Sequence, residues 1–259
     1  MSEGRELGVR IKLERARRHA EELDRASHEY LQSDPFTIVE AEEGFTGDLV
    51  SLAMIKRQVP PELGAIIGDV VHNLCCALDH LAWQLVLANG HAPDKKTAFP
   101  YAERAREFRR KADHRLQGAS ATAIDLVKRM QVHPNGDADL WRVCRLDVED
   151  KHRLLIPVGM AHESVEVLHV RVTTPEDAPP EFPVLARRSF NRQYPLQDGA
   201  EVFRVPKPAR EAGYDMSERL YTFALGFGVG SLFDGEPIFP TIPRLVDHVE
   251  DVCYPLSSS

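Results

Sequence analysis

The sequence lacks an excess of basic residues. It carries 32 Lys and Arg residues against 40 Asp and Glu residues, which gives a formal net charge of −8 over 259 residues. A uniformly acidic protein repels the phosphate backbone of nucleic acids unless its basic residues are gathered in one patch. We therefore do not expect nucleic acid to be a partner.

Long apolar runs and paired cysteines are scarce as well. We find no run that approaches the roughly 18 apolar residues of a membrane-spanning helix, and no apolar signal segment at the start of the chain. The four cysteines form no Cys-x-x-Cys pair, and the side chains of Cys75 and Cys76 diverge by about 100° on a helix. These features predict a soluble cytoplasmic protein with reduced thiols and no membrane partner.

Several common site motifs are also absent. The sequence contains no Gly-x-Ser-x-Gly nucleophile elbow, no phosphate loop with Gly-Lys-Ser/Thr and no His-Glu-x-x-His zinc helix. The glycine-rich stretch at residues 226–230 lacks the final spaced glycine of a dinucleotide-binding loop, so we interpret it as a closely packed strand. We therefore assign no cofactor and no metal ligands to the chain.

The hydrophobic periodicity changes near residue 150. Helical patterns dominate residues 1–150, apart from a predicted hairpin near residues 36–55, whereas residues 151–259 carry strand patterns separated by turn-forming clusters. This order predicts an α+β fold, with an N-terminal helical bundle, a C-terminal antiparallel β-sheet and a final packing helix, all in one compact unit. The elements predicted in the second part are strands at Leu154–Val158, Val165–Val172, Val184–Phe190, Ala200–Val205 and Tyr221–Val229, and a helix at Ile242–Cys253.

The first predicted helix, from Glu6 to about Ser33, has an apolar seam rich in small residues. The members of the seam recur at steps of three and four: Leu13, Ala16, Ala20, Leu23, Ser27 and Tyr30. Small residues allow a neighbour to approach closely along the helix. A second helix or a partner subunit would meet this need, so the sequence leaves open a homodimer formed through the N-terminal helix.

The most informative segment is Glu62–Ala88, which contains no proline and ends at Asn89-Gly90, a pattern typical of a helix end. On a helical projection its polar residues fall within an arc of about 140°. We call these residues the polar stripe: Glu62, Asp69, His72, Asn73, Cys76, Asp79, His80 and Gln84. The segment has no Lys or Arg, which are common on solvent-exposed faces. The stripe could be an enclosed hydrogen-bond network, an active or ligand site, or an exposed face.

The stripe supplies groups for acid–base chemistry. His72, Asp79 and His80 recur at helical spacing and could act on one ligand or proton. Downstream, Asp150 and His152 lie where the helical half meets the first predicted strand, and they could point to the stripe and orient an imidazole. These five residues are the candidate catalytic residues of an enzyme acting on a small or phosphorylated ligand. Alternatively, the segment 147–153 only pairs with itself at a helix end.

Asp69-x-x-His72 is a weak relative of the Glu-x-x-His pairs of di-iron bundles, so metal binding at the stripe is a further alternative, although the paired motif is absent. Trp83, on the same helix, is expected to anchor the core rather than to stack on a ligand.

The segment Ile67–Trp83, together with Asp150-Lys-His-Arg153, resembles a bacterial α+β family of uncharacterised function. The resemblance extends over most of the chain. In that family the helix motif usually reads His-Asn-Leu-Arg-x-x-Leu-Asp-His, and its Arg-x4-His element is similar to the signature of HEPN domains. Those domains are helical bundles that often dimerise and cleave RNA without a metal ion. Their arginine holds phosphate, and their histidine acts in acid–base chemistry.

The resemblance places His80 at the HEPN histidine and Cys75 at the HEPN arginine. A neutral thiol provides neither the permanent charge nor the forked donors of a guanidinium group. The resemblance therefore implies a HEPN-like binding or regulatory module without an intact RNase motif. The alternatives are an enzyme that uses His and Asp side chains of the stripe and a metal-binding protein at the same place.

Overall fold

The fold combines long helices with short antiparallel sheets, in a computed structural model that describes residues 3–153, 155, 157–167, 171–172, 193–211, 214–215 and 219–257. Its described helices are α1 (Glu3–Gln32), α2 (Glu62–Ala88), α3 (Ala105–Arg115), α4 (Ala121–Met130), α5 (Ala138–Asp150), α6 (Lys207–Glu211) and α7 (Ile238–Ser257). Its described strands are β1 (Phe36–Glu42), β2 (Leu49–Ile55), β3 (Pro157–Val167), β4 (Arg171–Val172), β5 (Ala200–Val205), β6 (Tyr214–Asp215) and β7 (Arg219–Phe227). The predicted α+β class is confirmed.

The central helix of the fold is α2, which has the predicted bounds. Leu74, Leu78 and Leu81 are fully buried, and each contributes roughly 2 kcal/mol relative to an exposed side chain. The helix stops where Gly90 takes a φ of +80°, a conformation that glycine adopts without strain. Because α1, α5 and the last helix all pack on α2, this helix is the element that the other long helices share.

The small-residue seam of α1 is buried against α2 of the same chain. Leu13 is 1% exposed, and Ala16 and Ser27 are fully buried. The close neighbour that the seam requires is therefore an internal helix. A homodimer through α1 stays a prediction, and it would use the outer face of the helix, where Leu7 and Ile11 are exposed.

The main sheet joins the two parts of the chain. Its strand order is β1-β2-β5, and both pairings are antiparallel. Leu49 of the hairpin pairs with Val205, so a strand from the second part extends the N-terminal hairpin. Ala200–Val205 is thus a strand with the predicted bounds, and its partner in the sheet is the N-terminal hairpin. The hairpin leaves one edge of β2 unpaired, and β5 fills that edge.

The other described strands form two-stranded antiparallel sheets, β3 with β7 and β4 with β6. The predicted strands Leu154–Val158 and Val165–Val172 overlap the two ends of one strand, β3, and the second also includes β4. The pairing register of β3 shifts between Ala161 and Val165. The predicted strand Val184–Phe190 lies outside the described residues.

The last helix, α7, packs back on the bundle as predicted, where it contacts α1, α2 and α5. On the α1 side, Arg17 donates hydrogen bonds to Glu250 at 2.6 Å and to Asp247 at 3.1 Å. On the α5 side, His248 Nε2 lies 2.9 Å from a carboxylate oxygen of Asp137, the residue that caps the start of α5. Charged contacts therefore hold both flanks of this helix.

Among the described residues, α2 is the one helix that is long and apolar enough to cross a membrane. However, 56% of its most apolar 18-residue window is buried inside the fold, as in the core helix of a soluble protein. The expectation that no segment approaches a spanning helix is thus too strict, but the burial of α2 agrees with a soluble protein.

Candidate functional site

The polar stripe of α2 is partly enclosed. Asn73 is buried, Cys76 and His80 are half-buried, and Asp69 and His72 remain exposed. Parts of the stripe are covered by α1, by α5 and by the loop before α3, and two cavities open beside it. The stripe is therefore neither a bare solvent-exposed face nor a sealed network.

His72 binds a buried carboxylate of α5. Its Nδ1–H donates to Asp147 Oδ1 at 2.8 Å, and Asp147 is only 5% exposed. The second oxygen of Asp147 accepts a hydrogen bond from Lys151 Nζ at 2.5 Å. Because the carboxylate can only accept, Nδ1 carries the hydrogen of this bond, and in the neutral form of the ring Nε2 is the acceptor.

Cys76 lies on the other side of the same imidazole, one helical turn after His72. Its Sγ is 3.5 Å from His72 Nε2. Burial raises the pKa of the Cys76 thiol, so the sulfur is protonated at rest. Cys76, His72 and Asp147 therefore form a chain of thiol, imidazole and carboxylate that runs from α2 to α5.

Asp150 reaches α2, which is one of the two arrangements that the sequence leaves open. Its carboxylate packs on Gly68, where an added Cβ would lie 2.4 Å from Asp150 Oδ1. Burial, and then the nearby charges of Asp69 and Asp147, raise the pKa of Asp150. The glycine thus lets a carboxylate approach the backbone of α2 closely.

His152 does not join this group. It is exposed in the turn after α5, and no contact in the described part of the chain links its side chain to the stripe. The prediction that Asp150 and His152 together orient an imidazole is therefore corrected: Asp147 makes the hydrogen bond to His72. The physical reason is that α5 ends at Asp150, so the face that meets α2 does not continue to residue 152.

The other two predicted residues, Asp79 and His80, have other partners than the pair of His72 and Asp147. The ring of His80 packs on α1, where a Cβ added to Gly8 would lie 2.8 Å from His80 Nδ1. Asp79 Oδ1 accepts the backbone N–H of Phe99 at 2.8 Å, and desolvation raises the pKa of this carboxyl. The five predicted residues therefore do not share one site.

One cavity beside the stripe is bordered by cationic side chains, and we call it the basic cavity. It has a volume of about 210 Å³. Its charged residues are Lys111, Arg115, Lys151, Asp79 and Asp147. Lys111 and Arg115 come from α3, and Lys151 follows α5, so separate parts of the chain supply the cations.

Cys75, at the position of the HEPN arginine, also lines the basic cavity. Its hydrogen bond with Cys144, together with burial, raises the pKa of the Cys75 thiol. The side chain is therefore neutral and contributes no charge. Any anion in this cavity would be held by the groups from α3 and from the turn after α5.

The second cavity also borders Asp79, and we call it the indole cavity. It has a volume of about 340 Å³ and is lined by Cys76, Asp79, His80, Trp83 and Thr97. Trp83 is 41% exposed, so the expectation that it anchors the core is wrong. The ring lies at the edge of the stripe and offers an apolar wall next to the Cys76 thiol.

Within the described part of the chain, no three His, Cys, Asp or Glu side chains are grouped closely enough to hold a metal ion. The metal alternative therefore receives no support from the stripe.

Sequence reasoning passed over Asp147, although a signal for it exists. Leu140, Val143, Cys144 and Asp147 recur at the three- and four-residue steps of a buried helix face. An acidic residue on such a face needs a polar partner. Lys111 and Arg115 belong to the run Arg104–Arg115, which the sequence marks as a basic patch and which a solvent-exposed helix face also explains. Only the tertiary fold places two of its cations at one cavity with Lys151.

The comparisons with known proteins return no relative: no family model, no curated protein and no solved structure matches the chain significantly. The resemblance to HEPN domains stays a prediction from the helix motif. The function must therefore be argued from the stripe and its two cavities.

Proposed function

We propose that this protein is a soluble cytoplasmic binding module that holds a small anionic ligand in the basic cavity. The observation that carries the proposal is the convergence of Lys111, Arg115 and Lys151 on one cavity of about 210 Å³. Three cationic groups at one cavity stand out against a chain with a net charge of −8. Such a cavity attracts anions that the rest of the surface repels.

The carboxylates of the cavity are already engaged by protein groups. Asp147 accepts from His72 and Lys151, and Asp79 accepts a backbone N–H. Among the lining residues, three cations against two carboxylates leave one positive charge in excess, and Glu107, outside the lining, pairs with Lys111. The cavity is therefore suited to a ligand with a phosphate or carboxylate group.

The contacts of the α3 cations are of a kind that a ligand can replace. Lys111 pairs with Glu107 at 3.0 Å, and both side chains are more than a third exposed. Arg115 donates to the backbone oxygen of Lys96 at 3.3 Å. Exposed pairs of this type contribute little to stability, so their donors can turn to an anion without a large loss.

The volume of the basic cavity limits the ligand. The cavity has a volume of about 210 Å³. It is smaller than the cavities of about 300 Å³ and above that hold drug-sized ligands. The ligand is thus inorganic phosphate or a short phosphorylated or carboxylated compound.

The HEPN-like resemblance supports a binding or regulatory role. The cavity lies beside the helix that carries the motif, and the motif arginine is replaced by Cys75. The cations of α3 and of the turn after α5 would then bind phosphate groups beside this helix, although the RNase motif is not intact.

Isothermal titration calorimetry tests the proposal with inorganic phosphate, glycerol phosphate and malonate as probes. We expect at least one of these anions to bind, and Arg115→Gln to weaken that binding about tenfold or more, as the loss of a hydrogen bond between charged groups does. The matched control is Arg109→Gln, an exposed arginine of α3 that does not line the cavity. No binding of any probe, or an equal loss in the control, would refute the proposal.

A further inference from the structure

We propose that Cys76 is a nucleophilic thiol, activated by His72, which accepts an acyl group from an activated ester or thioester bound in the indole cavity. This inference goes beyond anion binding and concerns a different cavity. It rests on the geometry of Cys76, His72 and Asp147 and on the position of the thiol at the cavity wall.

The imidazole is held in the tautomer that a general base requires. Asp147 Oδ1 accepts from His72 Nδ1–H at 2.8 Å, and the carboxylate is fixed by Lys151. The unprotonated Nε2 then lies 3.5 Å from Cys76 Sγ. In enzymes with an activated nucleophile, a base lies within reach of the nucleophile and a third group orients the base.

The thiol needs such a base. Because Cys76 is half-buried and its pKa is raised, its proton does not leave to water near neutral pH. In the proposed step the proton moves from Sγ to His72 Nε2 while the sulfur attacks the acyl carbon. A sulfur–carbon bond forms, the bond to the leaving group breaks, and the leaving alcohol or thiol takes the proton from Nε2. The product is an acyl thioester on Cys76.

Cys76 differs from the other cysteines of the chain. Cys75 is engaged with Cys144, which is buried, and Cys253 is buried in the core. Only Cys76 faces both an imidazole nitrogen and the indole cavity. The positions of the four thiols therefore single out one sulfur for reaction.

The indole cavity fits the acyl part of such a compound. Its volume of about 340 Å³ falls at the lower end of the range for small-molecule sites. The exposed ring of Trp83 offers an apolar wall for an acyl chain, and Asp79 and His80 provide polar groups at the same cavity. An activated ester with a short apolar acyl group is thus the simplest probe.

To test the inference, the protein is incubated with p-nitrophenyl acetate while the release of p-nitrophenolate is followed. After acid quenching, mass spectrometry identifies the residue that carries the acetyl group. We expect a hydroxylamine-sensitive acetyl group on Cys76. His72→Ala removes the base and should slow acetylation of Cys76 about 100-fold or more, which is the usual contribution of general base catalysis. The matched control is His152→Ala, an exposed histidine outside both cavities, which should react as the wild type does.

Rescue separates a base from a structural contact. Added imidazole should restore acetylation of Cys76 in His72→Ala, whereas a variant that merely lost packing would not respond. Acetylation of Cys76 at equal rates with and without His72, acetylation only of lysines, or no acetylation at all would each overturn the inference. Anion binding in the basic cavity would be unaffected by these outcomes.

Discussion

The hydrogen bond from His72 to Asp147, at 2.8 Å, joins the central helix to α5. The carboxylate that fixes this imidazole also binds Lys151 of the basic cavity. One buried acidic side chain therefore supports both candidate sites. Its removal would disturb the packing of α5 on α2, the cation at the cavity and the tautomer of the imidazole together.

Asp147→Ala should destabilise the protein by about 2 kcal/mol. The substitution removes two hydrogen bonds to charged or ionisable partners, each worth about 1.5–3 kcal/mol. The side chains of His72 and Lys151 are about half exposed, so water can hydrate the groups that lose Asp147, which offsets part of the lost stability. Urea unfolding measures the change. The control is Glu149→Ala, which breaks a single ion pair with the exposed Arg153 and should cost under about 1 kcal/mol. Equal losses in the two variants would contradict the role given to Asp147.

Asp150→Asn should stabilise the protein at neutral pH. The folded state raises the pKa of Asp150 above its ordinary value of 3.8, chiefly through burial. The folded state therefore holds the proton more tightly than the unfolded chain, so this group lowers stability as the pH rises from 3.8 through the raised pKa. The asparagine side chain has no such penalty. We expect the variant to have a higher free energy of unfolding than the wild type in urea at neutral pH. This difference should vanish in acid, below the ordinary pKa of Asp150.

Asp94 gives the matched comparison for Asp150. The backbone N–H of Lys96 holds the pKa of Asp94 below its ordinary value, so this carboxylate favours the folded state above that pKa. Asp94→Asn should therefore lower stability at neutral pH, the opposite of the effect at Asp150. The same sign in both variants would show that the burial of Asp150 on Gly68 does not govern its titration.

The sequence predicts the helices of this fold better than its sheets. The bounds of α2 follow from local features, because the segment has no proline and ends at Asn89-Gly90. The pairing of β5 with β2 joins residues about 150 positions apart, and no local pattern encodes which open edge a strand will fill. Fold class could thus be predicted, but strand order could not.

The candidate site was predicted in part. His72 and Asp150 do lie at the contact between α2 and α5, because helical spacing places them on facing sides. The prediction that His152 faces the stripe failed because this residue lies past the end of α5. Helical spacing predicts the direction of a side chain only within the helix. The basic run of α3 is visible in the sequence, but the position of Lys111 and Arg115 at one cavity with Lys151 is not, since it depends on packing between distant segments.

His248→Gln should lower stability more in mild acid than in mild base. The hydrogen bond to Asp137 raises the pKa of His248 above its ordinary value of 6.5. The stabilisation from the charged imidazole is therefore fully present below pH 6.5 and is lost as the pH rises through the raised pKa. Urea unfolding of variant and wild type on both sides of this interval measures the effect. The control is Arg17→Gln on the other flank of α7, whose guanidinium stays charged throughout, so its stability difference should not change over the same interval. If the His248→Gln difference is also constant with pH, the contact with Asp137 does not help to hold α7 on the bundle.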